Sequence, residues 1–278
     1  MIPAIHIVGG GLAGSEAAWQ VARAGLPCTL HEMRPSRSTE AHQTDRLAEL
    51  VCSNSLKSET EHTAPWLLKE ELRRAGSLLL ECAAVARVPG GQALTVDRVV
   101  FAEEVTRRLM AEPRITISRT EITAIPSEGL VILATGPLTS DALAQEIARI
   151  TGSDRLYFYD SISPIVDAET IDRSIAFAAS RWGKSIDGTD DYLNCPFDKP
   201  QYEAFLDALL DGQAVPAHIA ADDPSTPFFE ACLPIEVLAR RGRDTLRFGP
   251  MKPTGLTDPR TGRRPYAVVQ LRQENVRA

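Results

Sequence analysis

The feature that most restricts the fold of this chain is a glycine-rich stretch near its N-terminus, Gly9-Gly10-Gly11-Leu12-Ala13-Gly14, which has the pattern G-x-G-x-x-G. It lies between a short apolar run at 4–8 and a segment at 15–24 whose apolar residues recur at helical spacing. A second apolar run follows at 28–31 and ends at Glu32. This part of the chain therefore predicts a β-α-β unit, which is typical of the α/β class with a Rossmann-like sheet.

In such a unit each glycine has its own purpose. Gly9 permits the tight turn, Gly11 allows a pyrophosphate to approach the backbone, and Gly14 allows helix and strand to pack closely. The free amides of the helix N-terminus attract phosphates, and Glu32 is placed to accept hydrogen bonds from ribose hydroxyls. We therefore predict a dinucleotide site formed by residues 9–14 and Glu32; the alternative is a purely structural glycine turn.

A later apolar run, residues 130–136, indicates which dinucleotide binds. Its sequence, Leu-Val-Ile-Leu-Ala-Thr-Gly, resembles the strand-to-turn motif of flavoproteins of the glutathione reductase type, which bind two dinucleotides. That resemblance favours FAD over NAD and adds Gly136 to the predicted site. The alternative is an apolar strand that ends in an ordinary glycine turn.

The composition of the 278 residues, with 44% hydrophobic and 24% charged, is ordinary for a globular protein and argues against intrinsic disorder. We expect no membrane span, because no run of about 20 apolar residues is present. We expect no signal peptide and a cytoplasmic protein. A change of character after Gly152 predicts a FAD-binding domain at 1–152, an inserted smaller α/β domain at 153–245, and a return towards the FAD domain at 246–278.

The charge is distributed unevenly. The chain carries a net charge of −7, which argues against a protein coated for nonspecific nucleic-acid binding. From Arg240 onwards, however, there are ten basic and three acidic residues. A basic end on an acidic body predicts a face that meets polyanions; the alternative is a solvated charged surface.

The five cysteines include no Cys-x-x-Cys pair, and the histidines do not pair with them at metal-ligand spacings, so we expect no metal site. Two thiols stand out from the others. Cys52 lies in a polar loop with Ser53 and Asn54, which suit the polar edge of a cofactor; a capped loop is the alternative. Cys232 precedes a short helix that Pro234 begins, where helix amides would stabilise a thiolate; a buried inert cysteine is the alternative.

Taken together, several segments resemble the family of bacterial folate- and FAD-dependent tRNA (uracil-5-)-methyltransferases. The resemblance is spread over essentially the whole chain, and the stretches around Cys52 and Cys232 are far more specific than the glycine motif. The segments are Gly9 to Gly14, Glu32-Met33-Arg34-Pro35, Leu50 to Ser58, Phe229 to Glu236 and Phe248 to Pro253.

The resemblance implies a flavoprotein that forms 5-methyluridine in the T-loop of tRNA. It implies 5,10-methylenetetrahydrofolate as the carbon source and NAD(P)H as the reductant of the flavin. It also implies that Cys232 is the nucleophile that adds to C6 of uracil, which makes C5 reactive, and that Cys52 supports the reaction near the flavin. In that scheme reduced FAD relays the methylene to C5 and then supplies the hydride.

Members of that family continue well past residues 270–275, so the resemblance leads us to expect a C-terminally truncated chain. Such a chain lacks the late glycine-rich segment that closes over the flavin. Two other functions stay open at this point. One is another FAD-dependent oxidoreductase without an RNA substrate, and the other is a catalytically inactive fragment of the methyltransferase.

Overall fold

The computed structural model describes residues 3–39, 41–152, 164–213 and 233–276. These residues group into two compact units. Unit 1 holds the described residues of 1–88, 93–162 and 274–278, and unit 2 holds those of 89–92 and 163–273.

The centre of unit 1 is a four-stranded parallel sheet with the strand order β6-β2-β1-β7. Ile5 and Ile7 are buried on one face of its central strand, as the alternation of side chains along a strand requires. The predicted β-α-β unit is therefore present. The strands are β1 (Ile5–Val8), β2 (Cys28–His31), β6 (Ile115–Ser118) and β7 (Leu130–Leu133).

Five α-helices lie in the described part of unit 1: α1 (Leu12–Arg23), α2 (Ala64–Arg74), α3 (Leu78–Val85), α4 (Arg98–Ala111) and α5 (Asp141–Thr151). Helix α4 shows why they form. The Asp97 side chain accepts hydrogen bonds from the first amides of α4, which satisfies donors that have no partner within the helix. Phe101, Val105 and Leu109 follow at helical spacing and are buried in the core with the apolar face of the sheet.

A second, antiparallel sheet of unit 1 has the order β3-β5-β4, with β3 (Ser55–Ser58), β4 (Arg87–Val88) and β5 (Ala93–Val96). From the sequence alone, the polar residues 33–64 suit an irregular loop, yet β3 lies within them. The polar sequence of β3 does not indicate a strand, because the stability of β3 comes from pairing with β5 rather than from an apolar pattern. The Lys69 ammonium also stabilises this strand, because it donates hydrogen bonds to the backbone carbonyl oxygens of Leu56 and Ser58 at 3.0 and 2.7 Å.

Unit 2 is built on a three-stranded antiparallel sheet with the order β10-β9-β8. Its described elements are β8 (Phe177–Ala178), β9 (Tyr192–Phe197), α6 (Lys199–Asp211), α7 (Ile235–Arg240), α8 (Thr245–Phe248) and β10 (Ala267–Arg272). From the sequence alone, residues 246–248 are a candidate strand, which is wrong: the segment forms α8, whose Leu246 is buried among Tyr202, Leu206 and Met251. Three residues are too few for periodicity to distinguish a strand from a helical turn.

The predicted return towards the FAD domain covers residues 246–278. Of these, residues 246–273 belong to unit 2 and the chain enters unit 1 at Glu274. The reason is that β10 pairs with β9 along its whole length, from Ala267 opposite Phe197 to Arg272 opposite Tyr192. Among the described residues, no helix is long and apolar enough to cross a membrane.

Candidate dinucleotide site

A cavity of about 300 Å³ opens in unit 1 where β1, β2 and β7 end. The carboxyl ends of parallel strands are where α/β sheets bind ligands, and this volume is at the lower end of the range of small-molecule sites. The turn after β1, the end of β2 and the turn after β7 form its walls. Of the predicted site residues, those that line it are Gly9, Gly10, Gly11, Leu12, Ala13, Glu32 and Gly136.

Gly14 does not line the cavity but sets the distance between α1 and β1. A Cβ at Gly14 would lie 1.8 Å from the carbonyl oxygen of Gly9, so no larger residue fits there without moving the helix. Gly9 itself has a φ of +107° and passes close to the backbone of Ala134 at the end of β7. These two glycines therefore hold the helix and the two strand ends together, as their places in the motif predict.

Gly11 differs from both, since a Cβ at this position would meet nothing within 4 Å. Its φ of −72° is open to any residue, so the conformation of the backbone does not require glycine here. Gly11 is also the N-cap of α1 and makes no side-chain capping bond. The space in front of Gly11 is thus a cradle that a side chain would fill, beside helix amides that favour a phosphate. These residues fit the pyrophosphate of a dinucleotide.

Glu32 is buried and bound to Arg34 by two parallel hydrogen bonds, from Nε to Oε1 at 2.9 Å and from Nη2 to Oε2 at 3.0 Å. The backbone amides of Arg34 and Gly10 donate to the same carboxylate at 3.0 and 3.1 Å. These four hydrogen bonds equal the number of lone-pair positions of a carboxylate. A ribose hydroxyl at Glu32 would therefore share an oxygen that already holds the glycine turn.

Arg34 also connects the glycine turn to the loop before β3. Its Nη1 donates to Glu49 at 2.6 Å and to the carbonyl oxygen of Thr44 at 3.1 Å. The same loop reaches the turn directly, because the Ala48 amide donates to the Gly10 carbonyl oxygen at 2.8 Å. Arg34 was missed as a site residue. Its position two residues after Glu32 was visible in the sequence, but one guanidinium between two carboxylates is seen only in the fold.

Gly136 begins the short turn that follows β7, at a φ of +62° that favours glycine. A Cβ there would meet nothing within 4 Å, so this turn also faces open space. The Thr139 hydroxyl donates to Thr135 Oγ1 at 2.6 Å and holds the turn closed.

The polar stretch at 52–54 lies beside the cavity rather than in its wall, which its neighbour Val51 helps to form. Cys52 is exposed. Asn54 is buried, and its backbone carbonyl oxygen accepts a hydrogen bond from the backbone amide of Val96 in β5. Ser53 Oγ accepts a hydrogen bond from the Ser55 amide at 3.2 Å. Their role at a cofactor stays a prediction. Cys232, the predicted nucleophile, lies outside the described residues.

The remaining cysteines of unit 1 are core residues. Cys28 and Cys82 are buried, and burial raises the pKa of the Cys28 thiol and raises that of Cys82 to about 11. Both thiols are thus protonated and unreactive near neutral pH. Within the described ranges of the chain, no group of three or more His, Cys, Asp or Glu side chains is arranged to hold a metal ion.

Unit 2 carries the basic end of the chain, and its cations differ in how they are bound. Arg243 pairs with Asp207 at 2.7 Å and Arg260 pairs with Asp258 at 2.9 Å. Arg263 and Arg264 are exposed at a turn that is closed by the Asp258 amide donating to the Arg263 carbonyl oxygen at 2.9 Å. This exposed turn presents positive charge to solvent.

Residues 4–278 match the model of a protein family described as glucose inhibited division protein A. The chain is 73% identical over 274 residues to the methylenetetrahydrofolate--tRNA-(uracil-5-)-methyltransferase TrmFO of Solibacter usitatus, an alignment that covers 99% of this chain and 61% of that protein. It is 63% identical over 275 residues to the enzyme of the same name from Koribacter versatilis, with coverage of 99% and 61%. The enzyme of that name from Geobacter sulfurreducens is 56% identical, with coverage of 99% and 62%. This chain therefore spans about three fifths of the length of these relatives.

Among solved structures, a GidA of Aquifex aeolicus in its form II crystal superposes with a TM-score of 0.40 at 16% identity, over 49% of this chain and 25% of that one.

Proposed function

This chain belongs to the glucose inhibited division protein A family, and we propose that it is the FAD-binding and tRNA-binding part of a folate-dependent tRNA (uracil-5-)-methyltransferase. The observation that carries the proposal is the 73% identity, over 99% of this chain, to a relative that bears that name. The reaction would transfer a one-carbon unit from 5,10-methylenetetrahydrofolate to C5 of the T-loop uridine of tRNA. The product is 5-methyluridine, and NAD(P)H is the reductant.

We place FAD in the cavity of unit 1, in a domain of the glutathione reductase type. The open space at Gly11 and the uncapped start of α1 support a pyrophosphate there. Glu32 would bind the ribose while its hydrogen bond with the Gly10 amide holds the turn. Unit 2 is the inserted domain of this proposal, because residues of unit 1 both precede and follow it in the chain.

The chemistry needs a nucleophile, because C5 of uracil does not react until a thiolate has added to C6. We assign that thiolate to Cys232 on the basis of the family resemblance. Cys52 is exposed in the loop beside the cavity and would support the reaction. FAD, when bound, supplies the redox chemistry and the carrier of the one-carbon unit.

The tRNA would contact the surface of unit 2 that carries the exposed Arg and Lys side chains between Arg240 and Arg264, here called the basic surface. Exposed cations such as Arg263 and Arg264 would contact its phosphates, which supply most of the affinity of proteins for nucleic acids.

The test uses the purified chain in three measurements: its absorption spectrum, its affinity for tRNA, and methyl transfer to tRNA supplied with the folate and NAD(P)H. The proposal predicts a yellow protein that binds tRNA. A yellow protein without tRNA affinity would indicate a flavin oxidoreductase with another substrate. A colourless protein that folds would indicate a fragment without the cofactor, and would refute the placement of FAD in this chain.

A further inference from the structure

The end of α8 exposes an aromatic ring on the basic surface of unit 2. Phe248 is 72% exposed, and within the described segment 233–276 it is the most exposed large hydrophobic side chain, ahead of Val276 at 58% and Ile235 at 36%. A single exposed apolar residue is common on protein surfaces. The surroundings of this ring are what set it apart.

The guanidinium of Arg247 lies between two aromatic rings. Its Cζ is 4.6 Å from the ring centroid of Phe248 and 4.1 Å from that of Tyr266. Arg247 thus covers one face of Phe248, and the large exposed fraction of the ring belongs to its other face and its edges. The same guanidinium pairs with Asp244 at 3.3 Å, so its cation–π contacts with the two rings are held by an ion pair at the start of its own helix.

The support beneath this stack is rigid. Tyr266 contacts Tyr202 edge to face with the centroids 5.5 Å apart, and Tyr202 is fully buried with its hydroxyl donating to the Arg243 carbonyl oxygen at 2.7 Å. Leu246, also fully buried, fixes α8 in the core of unit 2. An aromatic ring held in this way loses little conformational entropy when a second flat group stacks on it.

The charge around Phe248 selects the kind of partner. Arg240 and Lys252 are exposed and lie within eight residues of Phe248 along the chain, and the exposed Arg243, which pairs with Asp207, lies between Arg240 and Phe248 in the sequence. The side chains that bind single-stranded nucleic acid are aromatic rings for the bases and cations for the phosphates. A protein partner would instead favour a contiguous apolar patch, whereas the ring of Phe248 is stacked on a cation.

We propose that an unpaired base of the RNA substrate stacks on the exposed face of Phe248, while Arg247 stacks on the opposite face and holds the ring in place. The inference rests on the proposed function, since it assigns a further contact to the same RNA. Stacking needs an unstacked base, so the partner of the ring is a nucleotide of a loop rather than of a stem.

The experiment compares the parent chain with Phe248→Leu, which keeps the apolar bulk but removes the ring, and with Phe248→Tyr, which keeps the ring. We expect Phe248→Leu to weaken the binding of tRNA roughly fivefold to 150-fold, the range of losses for one stacked base. Phe248→Tyr should bind within about twofold of the parent. The dependence of affinity on salt should be the same for all three chains, because none of these substitutions changes a charge.

A second measurement reports stacking directly. In a T-arm RNA with 2-aminopurine in its loop, binding of the parent and of Phe248→Tyr should quench the fluorescence, and binding of Phe248→Leu should leave it unquenched. Met110→Ala is the control, since Met110 is 68% exposed on α4 of unit 1 and should not affect RNA binding.

The outcomes separate this inference from the proposed function. If the parent binds tRNA and Phe248→Leu binds it equally well, stacking on Phe248 is refuted while the proposed function stands. If Phe248→Leu loses FAD rather than RNA affinity, the ring serves the cofactor and the inference is wrong. A parent that retains FAD but has no affinity for tRNA would overturn the proposed function together with the inference.

Discussion

The Arg34 guanidinium binds both carboxylate oxygens of Glu32, at 2.9 and 3.0 Å, beneath the glycine turn of the candidate dinucleotide site. The side chain of Arg34 is only 2% exposed and reaches a second carboxylate, Glu49, at 2.6 Å. One buried carboxylate and one largely buried carboxylate thus share a single buried positive charge. This arrangement explains how an acidic residue can lie next to a phosphate cradle, since Arg34 offsets its charge.

Removing Arg34 should destabilise the chain far more than removing an exposed arginine of the same loop. Arg34→Ala leaves the buried Glu32 and the largely buried Glu49 without their cation, so we expect the free energy of unfolding to fall by roughly 3–5 kcal/mol. Arg37→Ala is the matched control, because Arg37 is exposed and pairs with Glu121 at 2.8 Å; its loss should cost about 0–1 kcal/mol. Urea unfolding measures both. Equal losses in the two variants would show that the buried network does not stabilise the fold.

The same network predicts a pH dependence. Burial alone raises the pKa of Glu32, but the hydrogen bonds from Arg34 and from the Gly10 amide outweigh it and hold the pKa below its ordinary value of 4.5. A carboxyl whose pKa is lowered by folding stabilises the fold above its unfolded pKa, and the contribution is lost as the pH falls through the folded value. The difference in unfolding free energy between the parent and Glu32→Gln should therefore be constant above about pH 6 and shrink below about pH 4.5.

Glu128→Gln, a change at an exposed carboxyl, serves as the control for that titration. A difference between the parent and Glu32→Gln that stays constant down to pH 3.5, roughly one unit below the ordinary pKa, would contradict the prediction.

Substitution of Gly11 should mainly lower FAD affinity, whereas substitution of Gly14 should mainly lower the stability of the fold. Gly11→Val places its side chain in the open cradle, so we expect FAD affinity to fall at least about tenfold, with a loss of stability of no more than about 1 kcal/mol from the changed N-cap. Gly14→Ala meets the Gly9 carbonyl oxygen and should lower stability by roughly 1–3 kcal/mol or more. FAD titration and urea unfolding of both variants test this. A Gly11→Val protein as yellow as the parent would show that the cradle is not the phosphate site.

The two candidate thiols should separate in a trapping experiment. The parent chain should form an adduct with tRNA containing 5-fluorouracil that survives denaturation, because the thioether at C6 cannot be resolved. Cys232→Ala should retain FAD but form no adduct, whereas Cys52→Ala should still form some. The reverse pattern would exchange the two assignments. Absence of the adduct in the parent as well would show that these 278 residues do not catalyse the addition.

The exposed turn of unit 2 should contribute to the salt dependence of tRNA binding. Substituting both Arg263 and Arg264 by Gln should reduce the slope of log affinity against log salt by about 0.7–0.9 for each phosphate that the protein no longer neutralises. Arg23→Gln is a suitable control, since Arg23 belongs to unit 1 and donates to the carbonyl oxygen of Ala75 at 2.8 Å. An unchanged slope in the double variant would indicate that the turn is only a solvated surface.

Much of unit 1 could be predicted because its first elements are local. The order of strand, glycine turn and helix is readable from residues 4–24, and Gly9 and Gly14 are confined by backbone contacts that any β-α-β unit creates. The strand β3 and the helix α8 could not be read in the same way. Each depends on a partner distant in sequence: β5 for the polar strand, and the cluster around Tyr202 for the short helix.

The α/β class, the position of the dinucleotide turn and the family can all be inferred from short contiguous motifs in the sequence. The positions of Arg34 between Glu32 and Glu49, and of Arg247 between the rings of Phe248 and Tyr266, become visible once the chain is folded. In both clusters residues that are close in sequence combine with one from a different part of the chain. Burial makes an unpaired charge costly, so the partners of a buried cation such as Arg34 are set by the side chains that the fold brings within reach.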